Sequence, residues 1–180
     1  MRRTIIIAAI LATLLSPRWV EARKITEPSA FTIDATVIHF DEVSLNNGEV
    51  VTDQFEEAGV TFEAGLWFHR PVLPPGNPGI DEHYLANFQE PDDTRLCPLP
   101  RSIFFEKAMT TVGFYIFTND RDSVRLTVKL EGVATETQIF NTSLSAETFA
   151  GILHPEGFDE LMVEIIPDSG TPGANRCAGI

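Results

Sequence analysis

From Thr36 onward, apolar and polar residues alternate along short stretches with a period of two, the spacing that puts every second side chain on one face of a strand. Val124, Leu126, Val128 and Leu130 alternate with Arg125, Thr127, Lys129 and Glu131, which predicts a strand with one buried face and one wet face. Residues 111–118 are apolar on both faces, so a central strand covered on both sides is predicted there. The same reading places strands at 36–41, 60–64, 83–88, 102–106, 136–141, 148–153 and 159–166, with glycine and proline turns between several of them. No window of a dozen residues after the N-terminal run sustains helical spacing, and residues 51–58 have room for one helical turn at most. About nine short strands with turn-rich connections predict an all-β fold, an antiparallel β-sandwich. Its opening lies between Ile38 and Phe62: a strand ending in acids, a polar crossing loop, an aromatic plug at Phe55, a turn at Gly59 and a second strand.

The first residues follow a different pattern. Arg2 and Arg3 precede an apolar run from Thr4 to Leu15, and Val20 and Ala22 supply tolerated residues around a cleavage point after Ala22. A membrane span needs about 20 apolar residues; this run is shorter and is followed by Pro17 and Arg18. The expected organisation is therefore a signal peptide at 1–22, an exposed lead-in at 23–35 and a β-sandwich domain at 36–180, in a secreted or periplasmic protein. The leader carries three arginines against one glutamate, so its removal takes the net charge from −13 to −15. Phosphate backbones repel so acidic a chain, which argues against nucleic acid as a partner. No second long apolar run exists, and membrane insertion after cleavage is not expected.

Few side chains suggest chemistry. Cys97 and Cys177 are the two cysteines, and an oxidising compartment favours their pairing as a disulfide. That bridge would close a loop of about 80 residues, worth on the order of 4–5 kcal/mol by chain entropy. Asp41, Glu42 and Asp53, with Asn46 and Asn47 between them, concentrate the hard oxygen donors that structural calcium requires; solvated turn acids are the alternative. The histidines (39, 69, 83 and 154) show no metal-binding spacing, and serine-nucleophile and phosphate-loop motifs are absent. Residues 69–82 hold four prolines, and Trp67 and Tyr84 flank this loop. These two rings, with Phe68, are candidates for a sugar-stacking platform, with ordinary core positions as the alternative. Asn141-Thr142-Ser143 is a glycosylation sequon in a eukaryotic secretory pathway only.

The segment IHFDEV…NNGEVVTDQFEEAGVTF resembles the opening of secreted bacterial jelly-roll modules of the kind found in PEP-CTERM (exosortase-sorted) surface proteins, which share a galactose-binding-like or carbohydrate-binding-like sandwich. Residues 111–117, 126–130 and 149–152 are similar to later strands of that group, so the resemblance covers most of 36–180. The sorting tail of that family is absent, which implies a free rather than an anchored protein. The family's last strand usually continues to an acid; here Cys177-Ala178-Gly179-Ile180 stops before it. The resemblance implies a jelly roll and a non-enzymatic secreted binding or structural module, with carbohydrate or another surface polymer as candidate ligand. The alternatives are an extracellular hydrolase using paired carboxylates, and a purely structural envelope or matrix protein.

Overall fold

A computed structural model describes residues 22–31, 35–38, 40, 42–69, 84–86, 100–118, 123–142, 148–166 and 178–179. These residues form a mostly antiparallel β-structure, and none of them lies in an α-helix. The ten strands are β1 (Arg23–Ile25), β2 (Val50–Val51), β3 (Val60–Phe62), β4 (Leu66–His69), β5 (Tyr84–Ala86), β6 (Arg101–Thr118), β7 (Ser123–Leu130), β8 (Val133–Asn141), β9 (Thr148–Ile166) and β10 (Ala178–Gly179).

Two of them organise the rest. Strands β6 and β9 run for 18 and 19 residues, far beyond the usual strand length, and pair with each other at both ends. The 102–106 and 111–118 expectations are thus one strand, as are 148–153 and 159–166. What looks like a gap between them in the alternation is a pair of bulges. Between Phe104 and Met109, β6 advances five residues while β9 advances two; between Met109 and Thr111, β9 advances five while β6 advances two. The two excursions cancel, so the same register holds from Arg101↔Val163 to Phe104↔Glu160 and again from Thr111↔Leu153 to Ile116↔Thr148. Bulges bend strands and increase their twist. Here they divide the ladder into two halves that share β6 and β9.

In one half the order is β8-β7-β9-β6-β3; in the other it is β1-β9-β6-β10-β5-β4-β2. The inward side chains of both halves belong to one core. Val124, Leu126, Val128, Phe140, Leu161 and Ile103 come from the first half, and Val51, Phe68, Leu85, Ile116, Ala150 and Ile152 from the second. The halves also meet along two seams. On one side, Lys24 Nζ donates to the Ile139 carbonyl at 2.6 Å and sits 4.2 Å from the centre of the Phe140 ring. On the other, the Phe62 N–H donates to the Thr52 carbonyl at 2.7 Å.

The opening segment behaves largely as its sequence indicates. Phe55 is 3% exposed and meets Phe40 and Phe62 edge-to-face. Residues Glu56–Ala58 make a single 3-10 turn that Gly59 ends in the left-handed region, φ 77°. The strand expected at 36–41 does not form at its described positions, 36–38 and 40. Ile38, Phe40 and Val43 pack against the core without a ladder partner strand, so their spacing reports burial rather than pairing. The lead-in expected at 23–35 is exposed at residues 23, 24 and 26–30, yet it also contributes a strand. Arg23–Ile25 pairs with Leu153–Gly151 of β9, and Ile25 is buried against the bare backbone of Gly151. Three residues are too few for alternation to announce a strand.

Candidate functional site

The outward faces of the two halves differ in chemistry. On the first half, polar groups from four strands interlock. Lys129 Nζ lies 2.7 Å from Glu160 Oε1, and Ser102 Oγ donates to the same oxygen at 2.5 Å. The Ser102 N–H donates to Glu63, Arg125 pairs with Glu164 at 2.8 Å, and the Thr127 and Thr137 hydroxyls meet at 3.1 Å. Partial burial pushes the Glu160 carboxyl up, but the Lys129 and Ser102 hydrogen bonds, with the Lys129 charge, outweigh it and hold the group below its ordinary value. This is a network of satisfied partners, with Phe104 and Ile139 standing exposed around it.

On the second half, the outward row runs Val50, Trp67, Ala86, Gly179, Phe117 across five strands. Trp67 is half-buried, while its neighbours Leu66 and Phe68 point into the core. The His69–Tyr84 pair lies two register steps from Trp67–Ala86, so backbone position 84 falls on the face that carries Trp67. Register therefore brings platform positions 67 and 84 onto one side of two adjacent strands; the side chain of Tyr84 lies outside the described residues.

The same face holds aromatic residues that alternation alone assigns to a covered central strand. Tyr115 is 49% exposed, so residues 111–118 are not covered on both sides. Its ring meets Phe149 at 5.2 Å, and Phe149 meets Phe31 at 5.9 Å, both edge-to-face. The signal that could have found this group is the pair of glycines inside strands, Gly113 and Gly151, which face each other across β6 and β9. Glycine within a strand marks a place where something approaches the backbone closely.

Of the expected carboxylate donors to calcium, Glu42 and Asp53 fall among the described residues. Asp41 lies outside the described residues. Glu42 is exposed; Asp53 is exposed too, and its carboxylate accepts from the Thr52 hydroxyl at 3.1 Å. Asn46 is engaged by Glu49, to which its backbone and side-chain N–H groups donate at 2.8 and 3.0 Å. Among the described residues, no group of three or more His, Cys, Asp or Glu side chains could hold a metal ion. Cys97 and Cys177 also lie outside the described residues; the two residues after Cys177 form β10, between β5 and β6. His154, on the β9 bulge, is 8% exposed, and its Nδ1 has no hydrogen-bond partner among the described residues. No described helix is long and apolar enough to cross a membrane.

Comparison with protein-family models, with curated proteins and with solved structures returns no match for this chain.

Proposed function

We propose that this protein is a secreted, non-enzymatic β-sandwich module of jelly-roll type that binds carbohydrate on the outward face carrying Trp67. One observation carries the reading: a half-buried tryptophan stands on an outward row beside the small residues Ala86 and Gly179. A sugar ring presents an apolar C–H face, and an indole offers a matching flat apolar surface. The leader-like residues 1–22, the acidic net charge and the resemblance of residues 38–62 to secreted jelly-roll modules support an extracellular setting.

A glycan-array screen of the purified full-length protein, with and without a calcium chelator, tests the reading. Binding to at least one glycan class is expected, with Trp67→Ala weakening it about tenfold, as for loss of one aromatic stacking contact. Absence of binding in every condition rules the reading out. A requirement for calcium would return Asp41, Glu42 and Asp53 to consideration as its ligands.

A further inference from the structure

The aromatic group around Tyr115 is built for its place. A Cβ at Gly113 would lie 2.7 Å from the Phe149 ring and 2.8 Å from the Phe31 ring, so the strand gives up a side chain there to seat both. Phe31 follows the 3-10 turn at Pro28–Ala30 and braces Phe149, which in turn braces Tyr115. None of this serves the core. Ile116 and Ala150, the neighbours of Tyr115 and Phe149 in the chain, are the residues that point inward there. The outcome is a tyrosine held by one ring, itself braced by a second, with half its surface in water.

Register places this group on the face that carries Trp67. Trp67, Ala86, Gly179 and Phe117 form one row across β4, β5, β10 and β6, and Tyr115 stands two positions from Phe117 on the same strand. At a strand spacing of about 4.8 Å, β4 and β6 lie about 14 Å apart. The positions between them, Ala86 and Gly179, carry almost no side chain. Trp67 and Tyr115 thus mark two flanks of one face, further apart than one sugar ring is wide, with backbone position 84 on the same face between them. The described outward positions from Val50 to Tyr115 and Phe149 carry no charge, and Arg23 stands beyond them at the β1 end.

We infer that Tyr115 is a second stacking position of the carbohydrate site, and that the ligand is an uncharged polysaccharide chain lying across β4 to β6. This rests on the Trp67 reading. A single sugar would reach one flank only, and an acidic polymer would meet a chain of net charge −13 with no cation on the row to receive it.

Affinity electrophoresis through gels containing β-1,3-glucan, β-1,4-glucan, xylan or mannan, with polygalacturonate as the acidic control, tests this. Retardation by at least one neutral polymer and none by polygalacturonate is expected. Tyr115→Ala should weaken that retardation about tenfold while Tyr115→Phe retains it. Preferential retardation by polygalacturonate overturns the assignment of an uncharged ligand. If Trp67→Ala loses binding and Tyr115→Ala does not, the second position is wrong and the Trp67 site stands. If no polymer retards the unaltered protein, the underlying reading fails as well. Nitration of the unaltered protein needs no variant to fold: the chain has two tyrosines, Tyr84 and Tyr115, and peptide mapping separates them. Slower nitration of Tyr115 in the presence of the retarding polymer is expected, and an unchanged rate overturns the inference.

Discussion

Glu160 gathers partners from two other strands onto one carboxylate oxygen, the Lys129 ammonium of β7 and the Ser102 hydroxyl of β6. Charge-assisted bonds at a partly buried site are worth about 1.5–3 kcal/mol each, so Glu160→Gln should destabilise the protein by about that amount in urea titrations near pH 7. The folded-state pKa of Glu160 lies below its unfolded value. Its contribution is therefore present above the unfolded pKa of about 4.5 and is lost as pH falls through the lower folded value. The difference between the variant and the unaltered protein should narrow accordingly below pH 4.5, and a constant difference across that range would exclude the linkage. Residues of this kind were illegible in the chain, because Glu160 finds its partners 31 and 58 positions away. Phe55 and Gly59 were legible for the opposite reason. A large ring in a polar loop has to be buried, and a glycine closing a turn reports its own backbone angle.

At the level of elements, the alternation identified most β-structure but placed breaks where the chain bends. Residues 107–110 and 154–158 interrupt the period of two just as a turn would. Whether such an interruption ends a strand is decided by a ladder partner some 50 residues distant, which no local pattern contains. The same limit applies to the candidate site. Trp67 could be singled out as a ring beside a proline-rich loop, whereas Tyr115 looked like core because the exposure of a strand face depends on what packs over it. Gly157 tests the bulge itself. It adopts φ +85°, and a Cβ there would lie 3.4 Å from Ala108 Cβ, on the excursion of the opposing strand. Next to it, Phe158 is fully buried and packs edge-to-face on Phe105. Gly157→Ala should cost about 1–3 kcal/mol through its backbone alone, read as a lower urea midpoint with an unchanged m value. A neutral result would mean that the bulge can relax without loss.

For the molecule as a whole, closure depends on the short N-terminal strand. β1 completes one edge of the second half, and its Lys24 reaches the first half at Ile139 and Phe140. Deleting residues 23–25 removes a buried isoleucine together with that seam. The expected loss is about 2–5 kcal/mol, the range for removing a large buried aliphatic side chain, measured by chemical denaturation of the shortened chain. If the shortened protein is equally stable, β1 is an accessory to the fold.

The sharing of β6 and β9 between the halves has a consequence for how such a molecule can change over generations. Two halves joined by a linker could be separated, duplicated or exchanged with other modules one at a time. Here each half borrows strands from the same two stretches of chain, so no cut point yields a piece that keeps either half complete. The face that carries Trp67 can be altered one residue at a time, but the body that presents it can only be inherited entire.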